Sequence, residues 1–176
     1  MGFRTHSPRA VAAPPSVADT VGPVRKIATN RRVDRAELEE FVAPRHRGVL
    51  LTTRRDGRPQ SSLVTMGLSG GELLVSSYPE RAKVHNIVRN PLVSMVVMSD
   101  EFNGEWVQID GRGSVTFLPD AVDGLVEYFR CISGEHSDWD EYRRAMAHQG
   151  KCLVRVSIDQ WGPIARGGFP ARLADD

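Results

Sequence analysis

The sequence predicts a mainly β protein with helices attached (α+β), built as an antiparallel β-barrel, and three observations point there. Short β-rich runs follow one another across Asp56-Gly57 and Ser69-Gly70-Gly71, which supply the turn chemistry of hairpins. The helical patterns fall between groups of strands rather than after every strand, which argues against a doubly wound parallel sheet. The 176 residues suffice for one ordinary domain.

Each element can be justified in turn. Residues 1–30 are rich in Ala, Pro, Val and Ser without periodicity and read as a flexible or extended arm. VDRAELEEFVAP reads as a helix capped by Asp34, with Glu37 completing a capping box and Leu38, Phe41 and Val42 on one face. Pro44 ends it. RGVLLTTRRDGRPQSSLVTMGL gives two strands around Asp56-Gly57, and SGGELLVSS gives a turn and a third strand. PERAKVHNIVRN reads as a short helix with Pro79 in its first turn and Val84, Ile87 and Val88 as its apolar face.

PLVSMVVMS is almost continuously apolar and predicts a strand buried on both faces. EWVQIDGRGSVTFL predicts a long strand in which Gly111 and Gly113 permit a bend or bulge. DAVDGLVEYFRCI is helical, with Val122, Leu125, Val126 and Phe129 in register. SDWDEYRRAMAHQ is a further helix, with Ser137 as cap and Gly150 as stop. KCLVRVSI alternates as a last strand, and WGPIARGGFPARLADD reads as loop. The domain plan is a basic arm over 1–30, the barrel over 31–165 and a tail over 166–176.

Composition excludes several classes of function. The formal net charge of +1 does not suit a general nucleic-acid binder. The charge is uneven, however: Arg4, Arg9, Arg25, Lys26, Arg31 and Arg32 stand against Asp19 alone in the first 32 residues. That excess is either a solvated tail or an arm meant for an anionic ligand or a partner subunit. No run reaches the roughly 18 apolar residues of a membrane span. No secretory pattern is visible at the N-terminus, so a cytoplasmic protein without nucleic-acid or membrane partners is expected. Cys131 and Cys152 form no CxxC pair and read as free thiols. The five histidines show no HExxH spacing, so no metal site is expected. Gly67-Leu68-Ser69-Gly70-Gly71 matches the letters of a nucleophile elbow, but a strand follows where a helix is needed, so Ser69 reads as a turn residue.

The stretch SSYPERAKVHNIVRNP carries more chemistry. Ser76 and Ser77 close a strand, and Arg81 and Lys83 open the following helix. A helix N-terminus has unpaired N–H groups that attract anions. Hydroxyls add donors, Arg81 offers a planar fork and Lys83 a point charge. Two readings stand on these residues alone: a phosphate site, or solvated helix charges.

Taken together, VLLTTRRDGRPQSSLVTM, LLVSSYPERAKVHNIVRNPLVSMVV and WVQIDGRGSV resemble the flavin-binding split-barrel proteins, a superfamily that includes pyridoxamine 5′-phosphate oxidase. GEHSDWDEYRRAMAHQGKCLVRVSIDQWGPIA is similar to the branch that uses coenzyme F420, a deazaflavin. The resemblance covers most of residues 34–165. It implies a six-stranded split β-barrel and a homodimer with the cofactor at its interface. The cofactor phosphate would lie at Ser76, Ser77, Arg81 and Lys83, with Asn86 one turn on. The ring would lie near Ser62, Val64 and Thr65, with Trp106 on a strand bordering it.

The chain also departs from the FMN-using oxidases. Ser62 stands where they carry a phosphate-holding arginine, and Trp106 where they carry a glutamine. The C-terminal arginine–histidine signature for pyridoxal phosphate is not visible. The implied activity is therefore F420-dependent hydride transfer to an unsaturated small molecule such as a quinone, tetrapyrrole, fatty acid or nitroaromatic. FMN is the alternative cofactor, and a non-catalytic flavin, deazaflavin or haem binder the alternative class. No catalytic residue is predicted, because the cofactor carries the chemistry.

Overall fold

The computed structural model describes residues 26–101 and 103–173. Most of the predicted N-terminal arm, including Arg25, lies outside the described residues. Four helices pack on one curled antiparallel sheet. In chain order the elements are β1 (Thr29–Arg31), α1 (Arg35–Val42), β2 (Arg47–Thr53), β3 (Pro59–Thr65), β4 (Gly67–Ser69), β5 (Glu72–Ser77), α2 (Ala82–Arg89), β6 (Leu92–Met98), β7 (Trp106–Thr116), α3 (Val122–Ser133), α4 (Trp139–His148), β8 (Cys152–Ser157), β9 (Gln160–Trp161) and β10 (Ile164–Arg166).

The sheet runs β3-β2-β6-β7-β8-β5-β4, with β10 and β9 also paired to β7 and β1 paired to β10. The six long strands β2, β3, β5, β6, β7 and β8 are the expected split barrel. Strand β7 joins the two halves of the sheet. Its first part pairs with β6 up to Arg112↔Leu92, and its last part pairs with β8 from Gly113↔Val156. Glycine is needed at this handover: a Cβ on Gly111 would stand 1.8 Å from the Ser157 carbonyl oxygen. A Cβ on Gly113 would stand 3.0 Å from the Ile87 side chain.

The interior holds one apolar cluster containing Leu50, Val75, Ile87, Met95, Ile109 and Val154, and α1 and α2 close it with Leu38, Phe41, Val42 and Val84. A second cluster lies under α3 and α4, where Leu74 and Leu153 meet Leu125, Val126 and Tyr142. The α1 capping box forms as predicted: Glu37 N–H donates to Asp34 Oδ1 at 2.9 Å and Asp34 N–H donates to Glu37 Oε2 at 3.0 Å.

Several expectations need correction. Strand β6 is not buried on both faces: Val93, Met95 and Val97 are buried, but Leu92 is 57% exposed and Ser94, Val96 and Met98 are half-buried. Its second face belongs to the side of the sheet that no helix among the described residues covers. Val88 is 65% exposed, because Val84, Asn86 and Ile87 are the residues of this short helix that face the barrel. Pro79 precedes α2 rather than joining it. It sits in a turn closed by Arg81 N–H to the Tyr78 carbonyl, at 3.1 Å, where its fixed φ is suited. Arg81 is the N-cap, with extended backbone and no capping bond from its side chain.

The α4 cap is Asp138, whose carboxylate accepts from Glu141 N–H at 2.8 Å, and not Ser137. The segment from Trp161 onward is not all loop. It contributes β9 and β10, and β10 pairs Ile164–Arg166 with Thr29–Arg31. Three-residue strands held by such long-range pairing carry too little periodicity to be read from sequence. The short β4 was merged into the second predicted strand, from which Met66 separates it. Among the described residues no helix is long and apolar enough to cross a membrane, and no group of three or more His, Cys, Asp or Glu side chains could hold a metal ion.

Candidate functional site

The site grows from the paired ends of β5 and β8. Their antiparallel register sets Ser76 opposite Leu153 and Ser77 opposite Cys152. Side chains alternate along a strand, so neighbours point to opposite faces. Ser77 turns into the barrel, where it is 4% exposed and its Oγ has no hydrogen-bond partner. Ser76 turns outward into a groove of about 400 Å³. One wall of that groove is Leu63, Val64 and Thr65 at the end of β3; the other is Phe129, Tyr142 and Met146 from α3 and α4. Lys83, Gln149 and Lys151 supply its polar end.

None of the ion pairs among the described residues includes Arg81, Lys83 or Lys151. Burial, and then repulsion from Arg81, pull the Lys83 ammonium below its ordinary pKa of 10.5. Burial likewise raises the thiol pKa of Cys152, which Lys83 partly offsets. The two buried phenols at the groove keep their protons. Tyr128 donates to the Thr65 carbonyl at 3.3 Å and Tyr142 to the Leu125 carbonyl at 3.1 Å. Burial, with Tyr142 beside it, pushes Tyr128 up to about 12.

Of the predicted site residues, the structure brings Val64, Thr65, Ser76 and Lys83 together. Arg81 is exposed at the start of α2, its guanidinium 5.8 Å from the centre of the Tyr78 ring. Asn86 is 7% exposed and faces the barrel, where its Nδ2 donates to Thr52 Oγ1 at 3.0 Å. Thr52 Oγ1 donates to Gln60 Oε1 at 2.9 Å, and Gln60 Nε2 donates to Ser62 Oγ at 2.9 Å. Asn86 and Ser62 are thus two ends of one hydrogen-bonded chain inside the barrel wall.

Trp106 lies elsewhere. Its row across the sheet runs Thr65↔Arg47↔Met98↔Trp106. Three strand spacings put it roughly 14 Å from Thr65 along that row. It lines a separate groove of about 320 Å³ with Asn30, Gln108, Asp110 and Pro163. A further groove of about 440 Å³ lies on the other flank of α2, between Arg55, Val88 and Phe117. It contains none of the predicted site residues.

Sequence reasoning missed Tyr78, Lys151 and the aromatic wall. Lys151 follows Gly150, whose φ of +66° turns the chain from α4 into β8; that glycine was the one available signal. Phe129 read simply as part of the apolar face of an amphipathic helix, and nothing in the sequence singled out Tyr142.

Comparison with known proteins agrees with this architecture. The family model described as pyridoxamine 5′-phosphate oxidase matches residues 35–164. A conserved hypothetical protein from Mycobacterium tuberculosis superposes with a TM-score of 0.65 at 20% identity, over 79% of this chain and 89% of that one. An F420 reductase superposes with a TM-score of 0.54 at 20% identity, over 70% and 94% of the two chains. The haem storage protein HutZ from Vibrio cholerae superposes with a TM-score of 0.55 at 22% identity, over 75% and 95%. At these identities the structures share a fold and nothing finer follows from them. The extent of the family match and the split barrel agree, and the chain belongs to the pyridoxamine 5′-phosphate oxidase family.

Proposed function

We propose that the protein is a coenzyme F420-dependent oxidoreductase that passes a hydride to an unsaturated small molecule. The observation that carries this reading is the groove itself. Two ammonium groups without carboxylate partners among the described residues, Lys83 and Lys151, face Ser76 at one end of a cleft whose remaining walls are mostly apolar. Unpaired cations in a partly buried cleft are costly unless an anion completes them. A phosphate fits that end, and a flat ring system fits between Val64–Thr65 and Phe129–Tyr142.

Bound there, a reduced deazaflavin would supply the hydride from its C5. The chain's own part is to bind, orient and exclude water. Lys83 and Lys151 hold the phosphate, Ser76 donates to it, and Arg81 adds positive charge from the N-terminus of α2. Tyr128 and Tyr142, their protons committed to backbone carbonyls, shape the wall and do not titrate during turnover.

The cofactor would sit at a homodimer interface. Leu63 is 83% exposed and shares an uncovered sheet face with Leu92 and Trp106, and Val49, Val96 and Met98 lie half-buried between them. A second copy of the chain covers that face, and its Trp106 then borders the ring that its own chain does not reach.

FMN is the second reading, because two ammoniums suit the two negative charges of its phosphomonoester. Ser62 weighs against it, since the FMN-using oxidases carry an arginine there. Turnover decides the reaction class. Reduced F420 should be oxidised by the protein in the presence of a quinone, a nitroaromatic or a tetrapyrrole. Tight binding of F420 with no turnover of any acceptor would move the protein to the non-catalytic binders.

A further inference from the structure

The groove's second cation is placed by a contact that no sequence motif announces. Continuing the β5–β8 register one step past Ser77↔Cys152 sets Tyr78 opposite Lys151. Directly opposed residues of an antiparallel pair point to the same face. Tyr78 and Lys151 therefore share the face of Ser76, and Lys151 and Ser76 line the groove. The Lys151 ammonium stands 4.0 Å from the centre of the Tyr78 ring, and the Arg81 guanidinium stands 5.8 Å from it. Both distances lie within reach of a cation–π interaction. Neither cation has a carboxylate partner among the described residues. Lys151 cannot drift far along the chain, because its own N–H donates to the Met146 carbonyl at 3.3 Å and Gly150 N–H donates to Ala147 at 3.2 Å.

We infer that Tyr78 is a positioning residue. Its ring holds Lys151 from β8 and Arg81 from the start of α2 at one end of the groove, so that with Lys83 they clamp a ligand carrying at least two negative charges. The inference rests on the anion-site reading above and adds to it a second arm of the clamp, from a different part of the chain. The ring matters through its π face, not its hydroxyl. A long flexible lysine loses much of its entropic cost of binding when an aromatic surface already holds it in place.

The test is equilibrium titration of the purified full chain with F420 and with FMN at two salt concentrations, on matched variants of confirmed wild-type thermal stability. Lys151→Ala should weaken the bound cofactor about tenfold, the loss of one charge-assisted contact, and should flatten the salt dependence. Tyr78→Leu should weaken it several-fold, and Tyr78→Phe should restore wild-type affinity. Combined with Lys151→Ala, Tyr78→Leu should cost less than it does in the wild-type background, because only the part of its effect carried by Arg81 remains. If Lys83→Ala weakens binding while Lys151→Ala and Tyr78→Leu leave affinity and salt dependence unchanged, the clamp is refuted and the anion site stands on Lys83. If Lys83→Ala also changes nothing, or neither cofactor binds, both the anion site and the clamp are refuted.

Discussion

Asn86 Nδ2 donates a 3.0 Å hydrogen bond to Thr52 Oγ1, and both residues are buried. Asn86 Oδ1 also accepts from Arg89 Nη2 at 3.1 Å, and Arg89 reaches the Thr53 carbonyl. This small network ties α2 to β2, and so fixes the helix whose first turn carries Lys83. Asn86→Ala leaves the Thr52 hydroxyl short of a partner, and should lower unfolding free energy by about 1–3 kcal/mol. Urea unfolding of the variant checks this. An unchanged midpoint would mean that Asn86 is not structural and serves a ligand instead.

Lys83 should make the stability of the ligand-free protein depend on pH. Burial and Arg81 lower its pKa in the fold below the unfolded value of 10.5, so the folded chain releases this proton first. The unfolded state then binds more protons across that window, and its share of stability rises as pH climbs toward 10.5. In Lys83→Met this rise should be absent, and the apo protein should be more stable than wild type at neutral pH. Denaturant titrations at neutral and alkaline pH read both effects.

Tyr128 acts in the opposite sense. Its phenol is raised from 10.0 to about 12 in the fold. The stability this represents is complete below pH 10 and is lost as pH rises through about 12. Phenolate absorbance should show it ionising last or only on unfolding, and Tyr128→Phe should shift the alkaline unfolding midpoint upward. A Tyr128 signal titrating near 10 in the folded protein would contradict the packing of the groove wall.

Leu63, 83% exposed on the edge strand β3, is where the proposed dimer is most easily broken. Leu63→Glu should yield monomers by sedimentation while the thermal unfolding signal of each chain persists, because no intrachain core contact is lost. A wild-type chain that sediments as a monomer at all concentrations would remove the interface.

How much of this was visible in the sequence follows from physical scale. Asp56-Gly57, the capping box at Asp34 and Glu37, and the two glycines of the long strand are local signals, and each lies where it was expected. Ser76 and Ser77 show the limit of such signals. Both were read as donors at one junction, but strand alternation sends one into the groove and the other into the core. Lys151 and Trp106 were harder still. One joins the site through a strand pairing between segments 73 residues apart in sequence, and the other stands on the far side of a four-strand row. The apolar run Leu92–Met98 looked fully buried because its outer face, interrupted only by Ser94, is also mostly apolar, which suits a surface meant for another chain better than one meant for water.

The central claim is tested most directly by a paired fluorescence titration of apo-protein with coenzyme F420 and with FMN, repeated on Lys83→Ala. The account predicts micromolar or tighter binding of the deazaflavin, weaker binding of FMN, and a loss of about 10–100-fold in the variant. Preference for FMN would contradict the cofactor assignment, and equal binding by Lys83→Ala would contradict the site.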